Sequence, residues 1–378
     1  MPEPFKNIFN PLLVEQMGAH LEAVESGAFL RDEFEKVALE GLEKLELKER
    51  STQIRKGLEA ALPDDFLQAS SILVAALGPA GESEDLNFSI TKDGIGGWAV
   101  MPMADYISQN GQGHFCESLQ ALREMTMRYT SEFAVRSFLA ARPDEGLTVM
   151  REWAKDDNLH VRRLASEGSR PRLPWGIRLQ AFEHDPEPVL ELLEILKDDS
   201  AEYVRRSVAN SLNDIAKSHP DRVAEVASRW LEGANRERTR LVRHACRTLI
   251  KDGHREILAA FGFSKPQVEV MGFALEPGSL AIGENLSMVL NLNSSSPKPQ
   301  HLIVDYAVHF AKASGKRSRK VFKWKTFELG GGEFLALKKK HSFKVVTTRV
   351  YYPGGHAIEL LINGEKVAEQ EFTLCPQK

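Results

Sequence analysis

Only three cysteines occur in 378 residues, and Cys116, Cys246 and Cys375 never form a CxxC pair. Neither a disulfide framework nor a cysteine zinc knuckle is expected, and the thiols read as buried spectators in a reducing compartment. No apolar run approaches the roughly 20 residues that span a bilayer, and the opening MPEPFKNIFNPLLVEQMGAHLEAV has no basic leader segment. The expectation is a cytoplasmic protein with no membrane partner. The 11 histidines form no HExxH, which argues against metal catalysis. Neither GIGG (residues 94–97) nor GQG (residues 111–113) follows a strand pattern or ends in GK[ST]. Both read as turns, and no cofactor is called for.

What is present is charge, unevenly placed. From Lys265 onward there are 16 Lys+Arg against 10 Asp+Glu, net +6, which leaves 33 against 43, net −10, in the preceding residues. A basic tail suits a polyanion, whereas the acidic body admits a nucleic-acid face only as a local stripe.

To about residue 262 the rhythm is helical. VEQMGAHLEAVES, DEFEKVALEGLEKL, ERSTQIRKGLEAAL and DDFLQASSILVAAL space apolar residues three and four apart. Between Gly78 and Gly97 the chain reads as a longer loop. The second half of this body repeats itself: DDNLHVRRLASEGS resembles DDSAEYVRRSVANSLND, with a weaker copy in RERTRLVRHACRTLIKDG. The marker valines Val161, Val204 and Val242 lie 43 and 38 residues apart. That period belongs to HEAT-type helix pairs, which stack because one pair cannot bury its apolar face alone.

Equivalent positions then carry the interest. Six residues after the valine stand Glu167, Asn210 and Thr248; Asp214 lies one turn beyond Asn210, and Arg163 and Arg206 one turn before Glu167 and Asn210. Read plainly, these are (i, i+4) pairs on solvated helices, about 0.2–0.5 kcal/mol each. The segment after Glu167 is not ordinary for such a repeat. Arg170 and Arg172 sit in a run stiffened by Pro171 and Pro174 that ends at Trp175. Fixed backbone lowers the ordering cost of binding, and arginine beside an aromatic suits phosphate clamping with stacking.

YTSEFAVRSFL (129–139), HVRRLASEGSRPRLPW (160–175) and YVRRSVANSLNDIAKSHP (203–220), with FKNIFNPLLVEQMG near the start, resemble the AlkC branch of the HEAT-like-repeat alkylpurine DNA glycosylases. The resemblance covers roughly residues 5–260. It implies hydrolysis of the N-glycosidic bond of cationic alkylated bases, 3-methyladenine and 3-methylcytosine, in bent duplex DNA without base flipping. Such a base is already a good leaving group, so carboxylates near the sugar carbon stabilise the oxocarbenium and handle the water. Carried over residue by residue, the acidic set falls on Glu132, Glu167 and Asp214. Arg163, Arg170, Arg172 and Arg206 become phosphate ligands or carboxylate partners, Asn210 adjoins them, and Trp175 packs on the nucleotide. Trp153 is a further aromatic contact or, at helical spacing, a core residue.

After Gly262 apolar and polar residues alternate in about seven runs, and Asn363-Gly364 between two of them marks a tight hairpin. An immunoglobulin-like sandwich over 263–378 is expected. Its KRSRKVFKWK (316–325) sets Lys316, Arg317, Arg319 and Lys320 beside Phe322 and Trp324. This is either a lysine-protected edge strand or a second DNA contact, with phosphate the main ligand.

The expected architecture is therefore an all-α superhelical solenoid of HEAT-like repeats (1–262) followed by a small all-β immunoglobulin-like sandwich. The expected activity is a monofunctional, cofactor-free DNA glycosylase, a monomer whose partner is double-stranded DNA. A non-catalytic HEAT-repeat protein binding damaged or bent DNA is the alternative, and would not need three carboxylates together. A peptide-binding scaffold would not call for the Arg-Pro-Arg-Leu-Pro-Trp brace.

Overall fold

In the computed structural model, residues 4–25, 27–84, 88–347 and 349–377 are described. They divide into two compact units, one from Met1–Pro220 with Ala234–Ala245 and one from Asp221–Gly233 with Cys246–Lys378. Among these residues no helix is long and apolar enough to cross a membrane.

The first unit is helical. Asn10 caps Pro11–Val24 by accepting from the Leu13 N–H at 3.0 Å, and Asp65 caps Phe66–Ala75 through the Gln68 N–H at 2.9 Å. Both use a short side-chain acceptor to satisfy a helix's first free donors. The helix Leu159–Gly168 is capped by Asn158, which accepts from the His160 N–H at 2.9 Å. Val161 and Val204 are fully buried, and the helices that carry them, Leu159–Gly168 and Glu202–Ile215, pack together. The first arginine of each Arg-Arg pair is structural. Arg162 reaches Asp199 in the following repeat at 2.6 Å, and Arg205 donates to the carbonyl of Ser200 at 2.8 Å. This leaves the second arginine, one residue on, to face elsewhere.

The loop from Gly78 is closed by backbone, the Gly78 N–H donating to the Ile95 carbonyl at 2.9 Å. Gly97 takes φ +66°, and a Cβ there would meet the Phe88 carbonyl at 2.1 Å, so glycine is required.

The described residues of the second unit form eight strands. A three-stranded sheet runs β1 (Val268–Glu276), β3 (Asn285–Ser294), β6 (Phe334–Ser342). A five-stranded sheet runs β2 (Ser279–Ala281), β8 (Glu365–Cys375), β7 (Gly354–Ile362), β4 (Gln300–Ala311), β5 (Arg317–Leu329). The strand beyond the expected seven is β2, three residues pairing parallel to β8. Alternation puts Leu286, Met288, Leu290 and Leu292 of β3 into one core with Val304, Tyr306 and Val308 of β4 and Ile358, Leu360 and Ile362 of β7. Each such aliphatic side chain contributes about 1.5–3 kcal/mol on burial. These sheets are consistent with the expected immunoglobulin-like domain.

Asn363 (φ 46°) and Gly364 (φ 78°) form the tight turn between β7 and β8. The Asn363 amide also ties down its surroundings, accepting from the Ile303 N–H and donating to the Ser264 carbonyl, each at 2.7 Å. On the outer face of β4, Ile303 packs with Leu258 and Phe263, which is why the last helices group with the strands.

Candidate carboxylate–arginine site

Glu167 and Asp214 each stand last but one in their helix, Leu159–Gly168 and Glu202–Ile215, although Asp214 lies one turn further from its marker valine. That is the wrong end for a carboxylate, because a helix C-terminus carries partial negative charge and favours cations. Both are also buried, at 6% and 2% exposure. Cations recruited to the same spot offset the cost. Arg170 stands between the two, giving Nη1 to Glu167 Oε1 at 2.5 Å and Nε to Asp214 Oδ2 at 2.8 Å. Lys217 Nζ takes Asp214 Oδ1 at 2.9 Å, and the Ser207 hydroxyl donates to Glu167 Oε2 at 2.6 Å.

Glu132 joins from the turn preceding the helix Val135–Ala141. It pairs with Arg163, whose Nη2 also lies 3.6 Å from Glu167 Oε1. Thr130 accepts from Arg163 at 2.6 Å and donates to Glu132 Oε2 at 2.9 Å. The Arg163 guanidinium stacks over the Tyr203 ring, 5.3 Å from its centroid. The three expected carboxylates are thus brought into one cluster, alternating with Arg163 and Arg170.

The electrostatics follow from this alternation. Burial by itself would raise the Glu167 carboxyl, but Arg163, Arg170 and the Ser207 hydroxyl together hold it below the usual carboxylate range. Burial opposes the charge of Arg163 and Arg170 too, and the surrounding carboxylates outweigh it, so both stay protonated. The Tyr129 and Tyr203 phenols are pushed up, chiefly by burial. The cluster is a largely buried set of mutually paired acids and bases, in which Glu167, Arg163 and Arg170 hold their charge.

The loop that carries Arg170 is shaped by a residue the motif reading passed over. Arg136 is fully buried and donates to the carbonyls of Gly168 at 2.8 Å, Arg170 at 2.7 Å and Ile177 at 2.8 Å. Among the described residues no carboxylate bonds it directly; burial and then the nearby Arg170 charge lower it to about 10. The signal was available, since an arginine inside the apolar helix VRSFLAA has little choice but to be buried. Lys217 and Ser207 were also missed, because a lysine or serine one turn from a charged residue looks like ordinary surface.

The remaining expected residues scatter. Arg172 pairs with Glu183 at 2.5 Å and with the Ser218 hydroxyl at 2.7 Å. Arg206 is exposed and pairs with Glu202 at 3.3 Å. Asn210 meets His244 at 3.2 Å, one turn before Asp214. Trp175 is 70% exposed, whereas Trp153, at 6%, lies in the apolar core and is corrected to a packing residue. Arg170, with 7% exposure, bridges carboxylates rather than facing a phosphate. Cys116 is exposed, not a buried spectator, because it falls on the outer face of the helix Phe115–Thr126.

In the second unit, β5 and β6 are both edge strands. Arg317 pairs with Glu371 at 3.0 Å and Arg319 with Glu359 at 3.1 Å, while Lys316 and Lys320 are exposed. Trp324 and Phe322 turn into the core, so the aromatics among these basic residues are packing groups. Among the described residues, no group of three or more His, Cys, Asp or Glu is placed to hold a metal.

The model of the DNA alkylation repair enzyme family matches residues 126–256, and that of the YhaZ C-terminal Ig-like domain matches residues 269–376. The chain is 36% identical to the uncharacterized protein YhaZ of Bacillus subtilis (strain 168), over 98% of this chain and 99% of that one. It is also similar to the Pseudomonas fluorescens alkylpurine DNA glycosylase AlkC, solved bound to DNA containing an abasic site analog. There the identity is 36%, the TM-score 0.85, and the coverage 99% of this chain and 100% of that one.

Proposed function

The chain belongs to the DNA alkylation repair enzyme family, AlkC/AlkD-like with a YhaZ-type Ig-like domain, and on that premise we propose that it is a monofunctional glycosylase of cationic N3-alkylated bases in double-stranded DNA. The substrates are 3-methyladenine and 3-methylcytosine, excised without base flipping from a duplex bent over a HEAT-like solenoid, with the Ig-like sandwich as accessory contact. The protein acts as a cytoplasmic monomer. One observation carries the reading: Glu132, Glu167 and Asp214 converge although two of them sit at unfavourable helix ends. The DNA-bound relative supports DNA as the ligand.

In this reading the bond from the sugar C1′ to the base nitrogen breaks, and its electron pair neutralises the cationic base. The sugar is left as an oxocarbenium. Glu167, held ionised by Arg163 and Arg170, and Asp214, bridged by Arg170, stabilise that charge from a largely buried site, where fixed charges act strongly. Glu132, the most exposed of the three, orients the water that adds to C1′ and takes its proton. Lys217 is paired with Asp214 at 2.9 Å, so it serves as a counter-ion and not as an amine nucleophile. Arg172, Arg206, Asn210, Lys316, Arg317, Arg319 and Lys320 are assigned to the sugar–phosphate backbone.

A second reading is favoured by the pairing itself. Both oxygens of Glu167 and of Asp214 accept hydrogen bonds from the protein, as they would in a purely structural network of a damage-binding protein. The test is release of 3-methyladenine and 3-methylcytosine from methylated duplex under single-turnover conditions, with duplex affinity measured alongside. Release by wild type is the expected result. Binding without release would transfer the chain to the damage-binding reading, and no binding would remove DNA altogether.

A further inference from the structure

Among the described residues only two that are not glycine take positive φ: Asn363, in a turn that favours it, and Trp175, at 65°. A bulky aromatic in the left-handed region is strained, since its Cβ crowds the backbone there. Trp175 is also 70% exposed. Its ring therefore stabilises the fold little, while its backbone conformation works against the fold.

The position is held from a distance. Lys48, in the helix Leu47–Ala61, donates from Nζ to the Trp175 carbonyl at 2.8 Å. The same ammonium lies 5.8 Å from the centroid of the Trp175 ring and 5.6 Å from that of Phe133. Phe133 follows Glu132 in the chain. One cation thus ties together the loop that carries Arg170 and the turn that carries Glu132. Arg136 grips the same loop through the carbonyls of Gly168, Arg170 and Ile177.

We propose that Lys48 is a positioning residue, a clasp that keeps Trp175 in its strained conformation with the ring presented to the duplex. The ligand of the ring is an apolar face of a nucleotide, base or deoxyribose, opened by bending at the lesion. This rests on the glycosylase reading. The strain is then a pre-organisation device: the ring is fixed before DNA arrives, so little ordering is needed on binding.

The test uses the full chain with Lys48→Met, Lys48→Arg, Trp175→Phe and Trp175→Gly. Without DNA, time-resolved fluorescence anisotropy reads Trp175 motion, Trp175→Phe supplying the background of the other four tryptophans. Lys48→Met is expected to add a nanosecond component that Lys48→Arg, which keeps the donor and the charge, does not. With methylated duplex, Lys48→Met should raise the half-saturating enzyme concentration about tenfold, more than it lowers the maximal excision rate, and Lys48→Arg should restore it. Trp175→Gly should raise Tm by a few degrees while weakening duplex binding, because glycine relieves the strain. Unchanged anisotropy in Lys48→Met, or a lower Tm in Trp175→Gly, would overturn the proposal. Were wild type to release no base, the glycosylase reading would fall, and the DNA-free anisotropy would still decide the clasp.

Discussion

The two units take ionisable groups out of water in different ways. In the helical unit Glu132, Arg163, Glu167, Arg170 and Asp214 alternate acid and base, so each faces an opposite partner. In the β unit Asp305 is half-buried and His341 buried with little compensation, and a polar atom of each, Asp305 Oδ1 and His341 Nε2, has no hydrogen-bond partner among the described residues. Their charge yields instead: burial lifts Asp305 to about 6 and pushes His341 down to about 4. Glu359 shows that the β unit can pair a carboxylate where Arg319 and His309 reach it. Glu167 keeps its charge through the arginines beside it, whereas single buried groups make stability depend on pH. A site that must present anions to a sugar needs the first arrangement.

The largest test of this contrast is Arg170→Met, which would leave Glu167 and Asp214 buried beside each other without their bridge. Removing one member of such a network is expected to destabilise the helical unit by about 3–5 kcal/mol, measured by urea unfolding. A loss under about 1 kcal/mol would mean that the cluster is more hydrated than its burial suggests.

His341 comes next. Tyr306 bonds its Nδ1 at 3.0 Å, and Arg349 and Lys320 add to the effect of burial. Its folded value lies below the unfolded one, so its contribution to stability is fully present above about pH 6.5 and is lost as pH falls towards about 4. The loss amounts to about 2–3 kcal/mol. Tm measured against pH for wild type and His341→Phe should differ in slope across that window and run parallel above it.

Asp305 has the opposite sign. Its folded value is raised, so the protonated form is favoured and the contribution is lost as pH rises through about 6. Asp305→Asn is accordingly expected to stabilise the β unit by about 1–2 kcal/mol at pH 8 and to give no gain near pH 4. Equal effects at both pH values would show that Lys323, its partner across the strands, already neutralises it.

The smallest effect concerns the basic edge. Replacing Lys316 and Lys320 together by alanine should reduce the slope of log affinity against log salt by about 2, if both meet phosphate. An unchanged slope would leave them as guards of the β5 edge.

Much of the architecture was legible because it depends on local periodicity. Val161 and Val204 marked helices by their spacing, and Asn363-Gly364 marked a hairpin by the one backbone conformation that the pair favours. The grouping of Leu258 and Phe263 with the strands was not legible, since it depends on Ile303 of β4, far along the chain. The carboxylates were legible only through resemblance of three strings to a family; their helical spacing alone described surface ion pairs. What sequence could not assign was partnership. Arg170 lies three residues from Glu167 but 44 from Asp214, and it bridges them only because two repeats stack. Lys48 lies 127 residues from the carbonyl it holds. Such contacts have no local signature.

The most direct measurement of the central claim is the single-turnover excision rate of Asp214→Asn and Glu167→Gln on methylated duplex, with duplex affinity determined on the same preparations. Each substitution keeps shape and removes one charge from the cluster. The account predicts a rate lower by about 10²–10⁴ for either, with affinity within a few fold of wild type. Near-wild-type rates in both variants would contradict it, and would reduce the buried cluster to a structural network.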